Sequence, residues 1–238
     1  MPEAVLIAHG APSDPEPTEL ALQQLARDVA AELPGWRVRG ATVAAPGALE
    51  RAFDGLSPEA VVFPVFMCDG WIIRRILPDC LAAIGRAGTR VLTPLGQVPG
   101  FRFHCAQMLT AAMAEAGLTP SETTVVLAAH GSARGPIPEA WAAGLARDIT
   151  DLTDLRMVIP AYLEQAPYLA DVLAMVPGPA ICLPGFATNA GHAMGDVPEA
   201  IAQSHFAGLV LPTVGTTPGI VHLIARELQA SEIAEVAA

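Results

Sequence analysis

Three residues in the second half of the chain, His130, Glu164 and His192, could bind a metal ion together. Each of them follows a short apolar run that we expect to form a strand. Two imidazoles and a carboxylate suit a divalent ion such as cobalt, iron, nickel or zinc. Three protein ligands also leave one coordination position open, which is typical of catalytic and not of structural metal sites. The residue types therefore predict a catalytic metal site.

An internal repeat supports this choice of residues. The segment AVLIAHG at 4–10 returns as VVLAAHG at 125–131, and four such landmarks recur at offsets of 119 to 121 residues. Each copy is an apolar run that ends abruptly in His-Gly, which favours a strand over a helix. The carboxyl ends of strands in open α/β sheets are where ligands bind. A His-Gly pair in this place is therefore a candidate for chemistry in both copies.

The two copies differ in the residues that would accompany the histidine. Ala44 stands at the position that matches Glu164, and Ile72 stands at the position that matches His192. A lone His-Gly at a strand end is more often structural than catalytic. Here three polar residues lie at three strand ends, and two of them are replaced in the sister copy. This pattern favours a functional over a structural role for them. The second half is therefore predicted to be active, with His9 in a supporting half.

The elements that must position these residues alternate regularly along the chain. Strands are predicted at 4–8, 36–42, 60–66, 89–93, 124–129, 155–160, 179–184 and 207–211. Helices are predicted at 18–33, 46–54, 71–85, 100–116, 138–151, 166–175, 191–203 and 218–230. This alternation predicts an α/β fold of two similar halves, each a parallel four-stranded sheet flanked by helices. The glycine–proline break near 117–121 separates an N-terminal half, 1–118, with a degenerate site from a C-terminal half, 119–238, with the predicted active site.

Composition limits the partners and the location of the protein. The formal charge of −11, from 24 acidic and 13 basic residues, argues against nucleic acid as a partner. No apolar stretch is long enough to cross a bilayer, and the N-terminus lacks the basic region of a signal peptide. We therefore expect a cytoplasmic protein without a membrane partner. Because duplication supplies a second lobe within one chain, a monomer or a weak dimer is expected.

The remaining cysteines, histidines and large apolar residues are predicted to be structural. The four cysteines form no CxxC pair, so we expect reduced thiols, with Cys182 in a strand as a small core residue. We interpret His104, His205 and His222 as packing or surface residues. Trp71, Ile72 and Ile73 are expected in the core, and Met67 and Cys68 are expected to pack.

The two His-Gly strands, Leu6–Gly10 and Leu127–Ser132, resemble those of the class II chelatases, closest to the CbiX type. The stretch LPGF…AGHxxxDVP at 183–198 and the Gly215-x-x-Pro218 element share this resemblance. It implies insertion of a divalent metal, Co²⁺ or Fe²⁺ with Ni²⁺ or Zn²⁺ as alternatives, into a tetrapyrrole such as sirohydrochlorin. The reaction would need no ATP and would belong to cobalamin or siroheme biosynthesis.

Carried over by position, the resemblance implies His130 and His192 as the metal-handling histidines, with Glu164 as their acidic partner. We assign His130 as the main metal ligand and proton acceptor and His192 as a second ligand. Glu164 would offset the charge of the metal or carry protons away. Arg134 and Ser132 are predicted to contact the tetrapyrrole. The substrate carries several carboxylates and the chain is acidic, so local positive features must bind it. Candidates are Arg134, Arg74, Arg75 and the predicted helix N-termini at 71 and 191.

Two other functions remain open at this point. The apolar residues at 71–73 and the missing Gly-Gly-His depart from the usual family motif, which leaves room for a metal or tetrapyrrole carrier on a degenerate chelatase scaffold. A hydrolase that uses Ser132 as its nucleophile is a weaker alternative, because the chain lacks a G-x-S-x-G nucleophile elbow.

Overall fold

The helices and strands come from a computed structural model that describes residues 1–132, 135–189 and 193–236. The helices are α1 (Pro15–Glu32), α2 (Ala48–Phe53), α3 (Leu77–Ala83), α4 (Pro99–Ala116), α5 (Ile137–Leu152), α6 (Leu169–Met175), α7 (Asp196–Ser204) and α8 (Gly219–Val236). The strands are β1 (Glu3–Ala8), β2 (Arg37–Thr42), β3 (Val61–Pro64), β4 (Thr124–Ala129), β5 (Met157–Tyr162), β6 (Ala180–Pro184) and β7 (Leu209–Val210).

Two parallel sheets organise the chain, as the alternation of strands and helices predicts. The first has the strand order β2-β1-β3 and the second has the order β5-β4-β6-β7. The inner strands β1 and β4 are buried along their whole length and are apolar after their first residues, Glu3 and Thr124, which suits parallel strands covered on both faces. Each ends directly before a histidine, between the ends of two neighbouring strands. The α/β class is thereby confirmed.

The first sheet has three strands in the described part of the chain, where the sequence predicts four. The predicted strand at 89–93 forms one isolated parallel bridge with β3. Val62 donates its N–H to the carbonyl of Arg90 and accepts from the N–H of Leu92, each at 2.9 Å. The next donor along β3 would be the nitrogen of Pro64, which carries no hydrogen. The ladder therefore stops after a single bridge.

A proline limits the second sheet in the same way. The N–H of Leu211 donates to the carbonyl of Cys182 at 3.0 Å, and the next nitrogen along β6 that could donate belongs to Pro184. Only two residues of β7 pair with β6. The predicted strand at 207–211 is therefore present but short.

Two helices begin with a different first turn, or at a different residue, from those that the sequence predicts. The helix expected from 71 starts as a π-helix over Ile72–Ile76 and continues as α3. A π-turn of this kind closes with i→i−5 bonds, here from the N–H of Leu77 to the carbonyl of Ile72. The helix expected from 191 begins as α7 at Asp196.

The chain forms two compact units, Met1–Val98 with Pro218–Ala238 and Pro99–Thr217. Within the first unit α8 packs against α1, and within the second α4 packs against α5. Thus α4, the last helix of the first repeat, belongs to the unit that contains the second sheet. In the same way α8, the last helix of the second repeat, belongs to the unit that contains the first sheet. The boundary at 118/119 between the two repeats stays a prediction. In the described residues no helix is both long enough and apolar enough to cross a membrane.

Candidate functional site

His130 lies at the carboxyl end of β4, the inner strand of the second sheet. The strand before it is buried, whereas the His130 side chain is 42% exposed. Gly131 turns the chain sharply with a positive φ of 73°. The fold therefore brings an imidazole out of the core at the sheet edge where ligands bind in α/β proteins.

Glu164 lies beside His130 because β5 ends next to β4. The N–H of Glu164 donates to the carbonyl of His130 at 3.0 Å, which aligns the two chain segments. The Glu164 Oε2 atom then lies 3.5 Å from the His130 Nδ1 atom, and the Glu164 side chain is 45% exposed. The structure thus brings two of the three predicted metal-site residues together.

The backbone assigns a tautomer to the His130 ring. Nδ1 lies 3.0 Å from the carbonyl oxygen of Gly131, and a carbonyl can only accept a hydrogen bond. Nδ1 therefore carries the proton and donates it, with the Glu164 carboxylate as a second acceptor nearby. The lone pair of the neutral ring is then on Nε2. This is the form in which metal-binding histidines are commonly held, with the other nitrogen donating to a carbonyl or a carboxylate.

Gln165 is a part of this site that the sequence does not single out. Its Oε1 atom accepts the N–H of Ser132 at 2.7 Å, and its Nε2 atom donates to Glu139 Oε2 at 3.0 Å. A Cβ atom on Gly131 would lie 2.8 Å from Gln165 Cγ, so glycine is required there for space as well as for its φ. The repeat offers a signal that could have found Gln165, since the first half has Ala45 at the matching position.

Two of the predicted site residues, His192 and Arg134, lie outside the described residues. Ser132 is half-buried, and its backbone is bound by Gln165. Among the residues that the structure describes, no group of three or more His, Cys, Asp or Glu side chains is placed to hold a metal ion. The complete metal-binding trio therefore stays a prediction.

The first unit repeats the backbone of this site without its carboxylate. His9 is exposed, and its Nδ1 atom lies 2.9 Å from the carbonyl oxygen of Gly10, which has a φ of 81°. The N–H of Ala44 donates to the carbonyl of His9 at 2.9 Å, as that of Glu164 does to His130. Alanine at position 44 leaves His9 without a corresponding acid from the strand beside it.

The predicted basic residues of the first unit lie in the π-helix that follows β3. Arg74 and Arg75 are exposed, and Arg74 Nε lies 3.0 Å from Asp69 Oδ2. Trp71, which we expected in the core, is 49% exposed. That expectation is wrong, since none of residues 66–76, which lie between β3 and α3, is buried. Burial raises the pKa of the nearby Cys68 thiol to about 11, in agreement with a packing role.

The other histidines have structural or surface positions. His104 Nε2 lies 2.6 Å from Thr217 Oγ1, and the Thr217 hydroxyl donates to the carbonyl of Val214. The His104 ring therefore donates to Thr217, and desolvation by burial lowers its pKa. His222 is exposed beside Glu32, with Nδ1 3.1 Å from Oε2. His205 is exposed in the left-handed conformation at the end of α7.

Comparisons with known proteins identify the family. The CbiX family model matches residues 124–231. No curated protein matches the chain significantly. A solved structure of CbiX, described as the terminal enzyme for biosynthesis of siroheme in denitrifying bacteria, is 38% identical and has a TM-score of 0.88. The match covers 96% of this chain and 98% of that one.

Two more distant structures share the fold. SirB from Bacillus subtilis with Fe³⁺ has a TM-score of 0.75 at 15% identity, with 96% of this chain and 95% of that chain covered. The sirohydrochlorin chelatase SirB from Bacillus subtilis subspecies spizizenii, in complex with cobalt, has a TM-score of 0.70 at 13% identity, with 96% and 94% covered. The resemblance found in the sequence is confirmed, and the chain belongs to the CbiX family.

Proposed function

We propose that this protein inserts a divalent metal ion into sirohydrochlorin without ATP. The observation that carries the proposal is the His130–Glu164 pair, in which Nδ1 is protonated and Nε2 holds the lone pair. A neutral imidazole can bind the incoming ion through the lone pair of its unprotonated nitrogen and release it again. Family membership adds the substrate class.

Metal insertion also requires the removal of two pyrrole N–H protons. Glu164 is half-exposed beside His130, so it can accept a proton near the site and pass it to solvent. A positioned general base of this kind contributes about 10²- to 10⁴-fold to a rate. The Glu164 carboxylate would also offset the charge of the metal substrate. By its position in the sequence, His192 is the proposed second ligand.

Iron is the first metal to test. The relative at 38% identity is described as the terminal enzyme of siroheme biosynthesis, and siroheme contains iron. Cobalt is the alternative, since a cobalt complex of the more distant SirB is known. Arg134 and Ser132 stay the proposed contacts to the carboxylates of the tetrapyrrole. The expectations of a cytoplasmic location and of a monomer or weak dimer stay predictions.

The test is an anaerobic assay with sirohydrochlorin and either Fe²⁺ or Co²⁺, followed by the change in the absorption of the tetrapyrrole. We expect many turnovers for each protein molecule and a loss of at least about 100-fold in His130→Ala, as for the removal of a positioned catalytic group. His222→Ala is the matched control, because it removes another exposed histidine that lies beside a glutamate. Binding of one equivalent of metal or tetrapyrrole without turnover would instead identify a carrier.

A further inference from the structure

One peptide group connects His130 to Gln165. Its carbonyl, from Gly131, accepts the proton of His130 Nδ1 at 3.0 Å. Its N–H, from Ser132, donates to Gln165 Oε1 at 2.7 Å. The C=O and N–H of a planar trans peptide point in opposite directions, so fixing one fixes the other. Gln165 therefore controls the acceptor that His130 uses.

Gln165 is itself held by a carboxylate from α5. Its Nε2 atom donates to Glu139 Oε2 at 3.0 Å, and Glu139 lies in the first turn of that helix. A hydrogen bond to a carboxylate is stronger than one between neutral groups. The side chain also packs closely over Gly131, where an added Cβ would clash with Gln165 Cγ. Its amide is thus restrained at both ends.

The first unit lacks this arrangement although its histidine has the same local geometry. The position that matches Gln165 is Ala45, and in the described part of the chain no side chain binds the N–H of Ala11, which follows the His9–Gly10 turn. The buried carboxylate of α1, Glu19, instead accepts the N–H and the hydroxyl of Thr42 at 2.6 and 2.8 Å. The series of hydrogen bonds from Glu139 through Gln165 to the Gly131–Ser132 peptide is therefore specific to the half that contains the candidate site.

We propose that Gln165 and Glu139 are positioning residues that set the tautomer of His130. If the Gly131–Ser132 peptide turned over, the N–H of Ser132 and not a carbonyl would face Nδ1. Nδ1 would then accept a hydrogen bond and the ring proton would lie on Nε2, which would prevent Nε2 from binding a metal ion. Gln165 stabilises the orientation that places the ring lone pair on Nε2. The part of this inference that concerns metal rests on the proposed function, whereas the tautomer does not.

The test is ¹⁵N NMR of the histidine rings in the metal-free protein near neutral pH, with His130 assigned from the spectrum of His130→Ala. We expect a protonated Nδ1 in the wild type and a mixture of tautomers, or mainly protonated Nε2, in Gln165→Ala. Co²⁺ affinity should fall about 10- to 100-fold in this variant, as for the loss of other groups that orient metal ligands. The KM for sirohydrochlorin should stay close to the wild-type value.

A charge swap separates positioning from a general packing role. Gln165→Glu alone places two carboxylates together and removes the donor to Glu139, so it should behave like Gln165→Ala. In the double variant Glu139→Gln/Gln165→Glu, the amide at 139 can donate to the carboxylate at 165, whose other oxygen can accept the Ser132 N–H. Both the tautomer and the Co²⁺ affinity should then recover. Gln203→Ala is the matched control, since it removes a 3.0 Å Gln–Glu bond within α7.

The outcomes distinguish this inference from the proposed function. An unchanged His130 tautomer in Gln165→Ala, or no recovery in the folded double variant, would overturn the inference whatever the enzyme activity. A changed tautomer in Gln165→Ala, in a protein whose wild type inserts no metal, would support the inference and remove the proposed function.

Discussion

The carboxylate of Glu164 lies 3.5 Å from Nδ1 of His130, at the ends of two neighbouring parallel strands. The same backbone arrangement holds His9 in the first unit, where Ala44 supplies no acid. The two repeats have therefore kept the strands, the His-Gly turn and the ring orientation, and have diverged in the side chains beside the ring. On this divergence we base the proposal that His130 carries the chemistry, and His9 is the natural comparison in experiments.

His9→Ala should retain most of the metal-insertion activity that His130→Ala loses. The reason is that no carboxylate from β2 accompanies His9, so its removal takes away an imidazole but no general base. We expect a change of less than about tenfold, below the 10²- to 10⁴-fold typical of a catalytic proton acceptor. Initial rates with sirohydrochlorin and Fe²⁺ provide the comparison. A loss in His9→Ala as large as that in His130→Ala would show that both histidines handle the metal.

Glu164→Gln should lower the insertion rate by about 10²- to 10⁴-fold, with little change in stability. The amide keeps the size of the side chain but neither accepts the pyrrole protons nor offsets the metal charge. Single-turnover rates should fall more than tetrapyrrole affinity does. Glu32→Gln is the control, because it neutralises a carboxylate 3.1 Å from another histidine, His222. Equal losses in the two variants would argue against a specific role for Glu164.

Gly131→Ala should destabilise the protein more than Gly178→Ala does. Both glycines have similar positive φ values, 73° and 77°, and for alanine this conformation costs about 1–2 kcal/mol. Only at Gly131 would the new methyl group also clash, at 2.8 Å from Gln165 Cγ, whereas nothing lies within 4 Å at Gly178. Overpacking adds typically about 1–3 kcal/mol. Urea unfolding of both variants measures the difference, and equal losses would mean that the Gln165 side chain moves aside.

The sequence predicts the inner strands well because their signal is local. β4 is found at 124–129 as expected, since an unbroken apolar run followed by His-Gly has a clear beginning and end. The fourth strand of the first sheet could not be predicted so well. Its pairing depends on whether β3 can donate hydrogen bonds, and Pro64 removes the next donor. The length of the strand at 89–93 is thus limited by a residue of the neighbouring strand β3.

The candidate site was predictable where the repeat exposes a difference, as at Glu164. The repeat also differs at Gln165, opposite Ala45, but the role of Gln165 depends on a bond to Ser132, 33 residues earlier, and on another to Glu139 in α5. An amide side chain has no characteristic spacing that would reveal such contacts in a sequence. The exposure of Trp71 likewise depends on the path of the chain between β3 and α3, where none of residues 66–76 is buried.

Alkylation with iodoacetamide at pH 8 should modify Cys80 first in the folded protein. Burial raises the pKa of all four thiols. The pKa rises to about 11 for Cys68 and to about 12 for Cys105 and Cys182. The pKa of Cys80 is raised less than these. A rise of two units lowers the thiolate fraction about 100-fold. Peptide mass spectrometry over time gives the order of labelling.

All four cysteines should react after denaturation without a reducing agent, because all four are free thiols in the structure. Rapid labelling of Cys105 or Cys182 in the folded protein would show that the core around α4 or β6 opens on the timescale of the reaction. Protection of any pair in the denatured protein would show a disulfide.

The stabilising contribution of His104 should be lost as the pH falls below about 6.5. Desolvation lowers the pKa of His104 in the folded state below its ordinary value of 6.5. The unfolded chain therefore binds the proton first, and the free energy of unfolding decreases as the pH falls from 6.5 to the folded-state pKa. The contribution is fully present above 6.5, where the ring is neutral in both states and donates to Thr217.

His104→Gln isolates this effect, because glutamine offers an N–H donor to Thr217 and does not titrate. The difference in the free energy of unfolding between wild type and His104→Gln should shift in favour of the variant as the pH falls from 7.5 to 5.5, as measured by urea unfolding. Taking the difference removes the titration of the other histidines, which both proteins share. A difference that does not vary with pH would mean that the His104 ring has the same proton affinity folded and unfolded, and that the half-buried position beside Thr217 is open to water.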